Sequence, residues 1–320
     1  MGSFNRFGNM SPPPELLRRS YLMYEEPFHI VGNVYFVGNT WCCSHLIDTG
    51  EGLILLDTPC LPELAYLLDG IWRLGFNPRD IKYILVSHAH MDHYGAVRAL
   101  AHLTGAKTLL GEVDAEDMKN NPERFERMNH ESGRFNECFV PDITLKDGDV
   151  LEMGNTKIRC VLTPGHTVGV MSHFWETEES GQMYRVGIYG GAGFVTLREA
   201  RLKECGLSME MRKVFSESID KVWDEKVDVM LGNHPFHNDT YDKHARVLNG
   251  EKDAFIDPGE WHRFLQELRD RYAEFLSLSE AEIDKMYEKS YFFMYRDKAI
   301  PFLDDPIPEN MVLPKRERVV

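Results

Sequence analysis

The segment His88-Ala89-His90-Met91-Asp92-His93 places three imidazoles and a carboxylate within six residues. Neutral imidazole and carboxylate are the donors that zinc and related divalent ions take. The chemistry offered by this spacing is therefore metal binding and, through it, activation of water. Two further histidines stand in Gly- and Pro-containing turns, Thr163-Pro164-Gly165-His166-Thr167 and Gly232-Asn233-His234-Pro235. Six ligands suit two ions. His88, His90 and His166 make a three-nitrogen site with one open position, the arrangement zinc uses to activate water. Asp92, His93 and His234 make a second site close enough to share that water. Nitrogen and oxygen donors favour two Zn2+ ions, with manganese, iron or nickel as alternatives.

These residues must be held by the elements around them. Ile81–Val86 has the apolar, β-branched character of a buried strand and runs straight into the motif. If the backbone leaves that strand extended, His88 and His90 point to the same side. After it, Tyr94, Val97, Leu100 and Ala101 show helical spacing, which predicts a helix over Asp92–Leu103. His166 and His234 also follow predicted strands, Lys157–Leu162 and Val227–Leu231. In layered α/β folds, loops at one edge of the strands converge to build sites.

The remaining pattern alternates strand and helix. Strands are expected at Phe28–Val37 and Cys43–Ile47, around Gly32-Asn33, then at Leu53–Leu56 and Lys107–Leu110, with a helix over Leu61–Leu74. The stretch 112–141 is charged and broken at Asn120-Asn121-Pro122 and His130-Glu131-Ser132-Gly133, as an inserted helix and loop over a site would be. Asp142–Leu145, Val150–Met153, Lys157–Leu162, Val170–Trp175 and Tyr184–Tyr189 predict a second sheet, followed by a helix over Met211–Trp223. Asp257-Pro258-Gly259-Glu260 reads as a capping box opening a helix whose apolar face is Trp261, Phe264, Leu265, Leu268, Tyr272 and Phe275. Ser279 to Glu282 repeats that signal. The expected division is a leader over 1–26, a catalytic domain over 27–275, and a C-terminal helix and tail over 276–320.

With 320 residues, 43% hydrophobic and 11% aromatic, the chain can bury one large core. A formal net charge of −15 with no offsetting basic cluster disfavours nucleic acid and anionic lipid as partners. No apolar run is long enough to span a bilayer, and Met1 to Glu26 holds no signal-type segment, so a cytoplasmic protein with a small-molecule substrate is expected. The six cysteines, Cys42, Cys43, Cys60, Cys138, Cys160 and Cys205, lack a paired spacing and are expected as reduced core residues.

The complete His-x-His-x-Asp-His motif resembles that of the metallo-β-lactamase superfamily, and the likeness covers about residues 27 to 265. Within it the chain is most similar to class B β-lactamases of subclass 3, through Pro27 to Gly38, Leu56-Asp57-Thr58, Thr163 to Thr167, Asn233-His234-Pro235 and Phe255 to Pro258. The resemblance implies an α+β, four-layer αββα sandwich, here with a C-terminal helical extension, and two zinc ions at one edge of facing sheets. It implies a zinc-dependent hydrolase in which a metal-bridged hydroxide, oriented by Asp92, attacks the carbonyl of a small lactam, lactone, amide or ester. A β-lactamase proper of the subclass-3 type is one alternative, and a non-catalytic metal-binding or sensing protein is another.

Two departures from the family pattern bear on the site. Most hydrolases of the superfamily carry an Asp bridging the metals where Gly190-Gly191 stands, so the second ion is expected to bind more weakly. The serine that subclass 3 presents to substrate is replaced by Ala192-Gly193. Specificity is assigned to the 112–141 and 192–210 stretches. The resemblance makes Asp57 a carboxylate that orients a ligand imidazole. Tyr94 and His237 are candidate substrate contacts. His29, His45, His102, His130, His173, His244 and His262 are expected at the surface or satisfied in the core, and Cys60 is expected to be buried. A cluster of Met286 with the aromatics Tyr291, Phe292, Phe293 and Tyr295 either covers the body or joins a second subunit of a homo-oligomer.

Overall fold

Leu53-Ile54-Leu55-Leu56 is apolar without alternation, and all four residues are buried because the strand is covered on both faces. Ile54 and Leu56 enter a core between two sheets, whereas Leu53 and Leu55 enter a core under helices. The computed structural model describes residues 19–131 and 136–289, with side chains over 19–126 and 136–285. The leader before Arg19, the Ser132-Gly133 break, the His130 and Met286 side chains and Tyr291 to Tyr295 lie outside the described residues.

The first sheet has seven strands in chain order: β1 (Phe28–Val31), β2 (Val34–Phe36), β3 (His45–Asp48), β4 (Leu53–Leu56), β5 (Ile81–Leu85), β6 (Lys107–Gly111) and β7 (Ile143–Leu145). From β4 to β7 the pairing is parallel. The second sheet contains β8 (Val150–Met153), β9 (Thr156–Leu162), β10 (Met171–Glu179), β11 (Gln182–Ile188) and β12 (Val229–Leu231), in the order β12-β11-β10-β9-β8. Strands β9, β11 and β12 run the same way, because β10 is antiparallel to both β9 and β11 and β12 is parallel to β11.

Helices complete two outer layers. On the first sheet lie α1 (Leu64–Arg73), through Leu67 and Ile71, and, past the short α2 (Met91–Tyr94), α3 (Val97–Thr104) through Val97 and Leu100. Then come α4 (Glu112–Asn120), α5 (Pro122–Glu131) and α6 (Glu199–Glu204). On the second sheet lie α7 (Met211–Lys221), through Phe215 and Ile219, and, beyond α8 (Thr240–Leu248), α9 (Glu260–Ser277) through Trp261, Phe264, Leu265 and Leu268. This is the αββα sandwich. A last helix, α10 (Glu280–Lys289), seats Ile283 in the same outer core and pairs Asp284 with Arg198, so this part of the extension covers the body of its own chain.

Several sequence expectations are corrected. Phe28–Val37 is a hairpin that turns at Gly32-Asn33 and not one strand. Ile143–Leu145 belongs to the first sheet, paired to β6. The helix expected over Asp92–Leu103 is broken between α2 and α3. At that break a β-carbon on Gly95 would lie 2.5 Å from Met91 O and 2.7 Å from Cys60 Cα, so the chain packs too closely there for any side chain. At Asp257-Pro258-Gly259-Glu260 only half of the expected box forms: Asp257 Oδ1 accepts from Gly259 N at 3.0 Å, but Glu260 pairs with Lys243 instead of reaching back. The Ser279–Glu282 box does form: Ser279 N donates to Glu282 Oε2 at 2.8 Å, and Glu282 N to Ser279 Oγ at 3.4 Å. Among the described residues no helix is long and apolar enough to cross a membrane.

Candidate metal centre

The C-terminal ends of β4, β5, β9 and β12 meet at one edge of the sandwich. Two backbone bonds sew the sheets together there, Met171 N to Ser87 O at 2.8 Å and Cys43 N to Asn233 O at 2.7 Å. Asp57 ends β4 with φ +60°, a left-handed conformation that Asp tolerates better than most residues. That turn aims its carboxylate back at the motif. Oδ1 accepts from Ser87 N at 2.7 Å, and Oδ2 accepts from Ser87 Oγ at 2.7 Å and from His93 Nδ1 at 2.9 Å.

His88, His90 and His166 come together as expected, with one ring nitrogen of each inside a 4.8 Å cluster. Their ring centroids lie 4.5 to 4.9 Å apart and their planes are crossed by 75° to 90°. His90 Nδ1 and His166 Nε2 approach to 2.9 Å. A second cluster holds Asp92 and His234, with His234 Nε2 at 3.7 Å and His93 Nε2 at 3.5 Å from Asp92 Oδ2. This cluster also contains Cys42, whose Sγ lies 3.7 Å from Asp92 Oδ2.

Each imidazole but His90 has one nitrogen tied to the protein, leaving the other for the cluster. His166 Nδ1 bonds the Gly193 carbonyl, His234 Nδ1 bonds the Trp41 carbonyl at 2.6 Å, and His93 Nδ1 bonds Asp57. Because the Ser87 hydroxyl donates to Asp57, its oxygen accepts from His88 Nδ1 at 3.0 Å. Such partners fix tautomer and ring orientation, as metal-binding histidines require. His88 Nε2 and His93 Nε2 are buried with no hydrogen-bond partner among the described residues. An orphaned buried nitrogen is costly unless something binds it, so the residues fit a pair of divalent ions.

The electrostatics agree. Burial, then the neighbouring imidazoles, holds His88 well below its ordinary range, and burial with His166 does the same for His90. Burial brings His166 and His234 down to about 4. These four rings are therefore neutral at pH 7, the form that ligates. At His93 burial also pulls downward, but Asp92 and Asp57 outweigh it and the net shift is upward.

Asp114, not singled out from the sequence, braces the first cluster. Fully buried in α4, it accepts from Ala89 N and Thr167 Oγ1 through Oδ2 and from Gly169 N through Oδ1, each at 2.7 Å. It thus bolts the turn of His88 and His90 to the turn of His166. A β-carbon on Gly191 would lie 2.7 Å from His166 Cδ2, so the glycine makes room for that ring.

The two candidate substrate contacts are placed elsewhere. Tyr94 is 1% exposed and packs near Phe139, and His237 is 3% exposed between His234 and Phe264. Helical periodicity turns Tyr94 toward the sheet, and neither side chain presents surface to a substrate. His45 and His173 are buried as core residues, but His45 Nδ1 and both nitrogens of His173 have no hydrogen-bond partner among the described residues. A cleft opens beside His90 and His166. Asp117, Arg124 and Phe125 line it from one stretch assigned to specificity, and Thr196, Leu202 and Leu207 from the other.

Residues 42–178 match the family model described as the metallo-beta-lactamase superfamily. An N-acyl homoserine lactonase of Bacillus thuringiensis is 28% identical over 169 residues, which are 45% of this chain and 60% of the lactonase. The chain thus spans about 60% of the length of the curated lactonases it matches. A subclass B3 metallo-beta-lactamase of Bradyrhizobium japonicum superposes with a TM-score of 0.71 at 25% identity, covering 84% of this chain and 98% of that one. The metallo-beta-lactamase of Legionella gormanii gives 0.71 at 27% identity over 79% and 96%.

Proposed function

We propose that the chain is a member of the metallo-β-lactamase superfamily, whose model it matches over residues 42–178, and a hydrolase using two divalent ions, zinc by its donor set, to open a small lactam, lactone, amide or ester. The observation that carries this reading is the pair of buried nitrogens without a hydrogen-bond partner among the described residues, His88 Nε2 beside the rings of His90 and His166 and His93 Nε2 beside Asp92 and His234. Divalent ions held there supply a water acidic enough to attack at neutral pH and polarise the attacked carbonyl.

The chain's own residues do the rest. His88, His90 and His166 hold the first ion, and Asp92, His93 and His234 the second. Asp92 also accepts a hydrogen bond from the attacking water and orients it. Asp57 and Ser87 keep His88 and His93 in the tautomers that leave Nε2 open.

The cleft supports an uncharged, partly apolar arm on the substrate. Its arginines are already paired, Arg124 with Asp117 and Arg201 with Glu204, while Phe125, Leu202 and Leu207 supply apolar wall. This favours an acyl-bearing lactone, amide or ester over the carboxylate-bearing substrates of a β-lactamase proper.

Metal analysis of the purified protein, combined with chromogenic lactam, lactone, ester and thioester substrates, tests the proposal. Turnover of an acyl lactone, amide or ester that falls to background in His88→Ala supports it. Absence of turnover on the whole panel with both ions bound would favour a metal-binding or sensing protein and sink the enzymatic reading.

A further inference from the structure

We infer that Cys42 is a thiolate ligand of the second ion, completing a site of Cys42, Asp92, His93 and His234. The inference rests on the two-ion reading above and deepens it. Cys42 Sγ lies 3.7 Å from Asp92 Oδ2 and within 4.8 Å of the His234 donor atom. Independently, His93 Nε2 points at the same carboxylate oxygen from 3.5 Å, fully buried and without a hydrogen-bond partner among the described residues. Sulfur, carboxylate oxygen and the His234 ring nitrogen therefore lie within 4.8 Å of one another, and the His93 nitrogen faces the same carboxylate.

The thiol is delivered there by the fold. Asn39 Oδ1 accepts from Trp41 N and from Cys42 N, both at 2.8 Å, and Asn39 N donates to Cys42 O at 2.9 Å, closing a tight turn. On one side of Cys42 the Trp41 carbonyl accepts from His234 Nδ1 at 2.6 Å; on the other, Cys43 N donates to Asn233 O at 2.7 Å. The turn carrying the sulfur is thus bonded on both sides to the turn carrying His234, 192 positions later in the chain. Cys60 gives the contrast. It shares the apolar cluster of Met23, Trp41 and Cys42 and is equally buried, yet it belongs to neither donor group.

Binding converts the Cys42 S–H bond into a sulfur–metal bond and releases the proton to solvent, with no change of oxidation state. Thiolate and Asp92 together neutralise a divalent ion, whereas the first ion meets three neutral imidazoles. The soft donor selects zinc over manganese. The second site should therefore bind at least as tightly as the first, contrary to the weaker second site expected from the glycines at 190 and 191.

Cobalt(II) substitution of the metal-stripped full chain tests this. The expected result is two cobalt ions bound and a near-ultraviolet thiolate-to-cobalt band that disappears in Cys42→Ser and Cys42→Ala and persists in Cys43→Ser and Cys60→Ser. Zinc affinity at the second site should fall by at least about 100-fold in Cys42→Ser, beyond the 10- to 100-fold of an outer partner's loss. Two bound cobalt ions without the band in the wild type, or a band that survives both Cys42 variants, overturns the inference alone. Failure to take up a second ion overturns it together with the two-ion reading.

Discussion

Replacing Asp114 tests whether the two ligand-bearing turns are held by one buried carboxylate. Its three hydrogen bonds of 2.7 Å come from Ala89 N, Thr167 Oγ1 and Gly169 N, and the side chain is fully buried. Burial pushes the carboxyl up to about 6 against the pull of those bonds, so it is ionised at pH 7.5. Hydrogen bonds to a charged group contribute about 1.5–3 kcal/mol each, and an orphaned buried donor costs about 1–3 kcal/mol. The losses are coupled. Asp114→Ala should therefore destabilise the metal-free protein by about 3–5 kcal/mol, with part of the Thr167 share returned by water. Asp114→Asn keeps the shape and one acceptor oxygen but sets an amide against Gly169 N–H or Ala89 N–H, so it should cost about 1–3 kcal/mol. Urea denaturation at pH 7.5 and zinc titration read the two effects, and first-site affinity should fall in both variants. The folded carboxyl holds its proton more tightly than the unfolded one, whose ordinary value is 3.8, so its stabilising share is largest below pH 4 and falls as pH rises through about 6. The stability difference between wild type and Asp114→Asn should narrow over that window. An Asp114→Ala protein within about 1 kcal/mol of wild type, with unchanged zinc affinity, would refute the brace, because even one orphaned buried donor costs that much.

Other perturbations follow from the same geometry. Burial holds His45, His166, His173 and His234 near 4, so stability present above about pH 6.5 is lost as pH falls toward 4, and circular dichroism of the metal-free protein should show acid unfolding in that window. His173→Phe removes a fully buried ring whose nitrogens have no partner among the described residues and should move the acid midpoint downward; a midpoint that stays or rises contradicts this. Ser87→Ala breaks the bridge from Asp57 to His88 and should weaken first-site zinc binding about 10- to 100-fold by competition titration. Gly191→Asp should also weaken that site without adding a bridging ligand, since its β-carbon would meet His166 Cδ2 at 2.7 Å; tighter binding of either ion would show that the turn yields.

What could be read from the sequence was whatever the chain keeps local. His88 to His93 declares itself because its donors lie within one strand end and one helical turn. His166 and His234 stand in turns after apolar strands, and Asp57 at the end of another. Layered strands and helices followed from runs such as Leu53–Leu56 and the apolar face of Trp261 to Phe275, and the four-layer sandwich from the family resemblance. Contacts set by distant partners were not legible. Asp114 lies in Glu112-Val113-Asp114-Ala115-Glu116-Asp117, where nothing chemical separates the buried carboxylate from its neighbours. The available signal was its position four residues before buried Met118, on the inner face of the helix. Cys42 read as a small core residue because its role depends on a turn nearly two hundred residues away. The short β7 was assigned to its sequence neighbours, although its partner β6 lies across an intervening helical pair. Tyr94 was misplaced because residues just after a motif need not share its face.

The central claim is that these imidazoles and Asp92 hold two divalent ions, and the most direct measurement is the metal content of the chain. Protein stripped with chelator, reloaded with zinc and freed of excess should carry two zinc ions per chain by elemental analysis. His166→Ala and His234→Ala should each retain one, lost from different sites. A wild-type chain that retains no zinc, or variants that keep the full complement, would contradict the account.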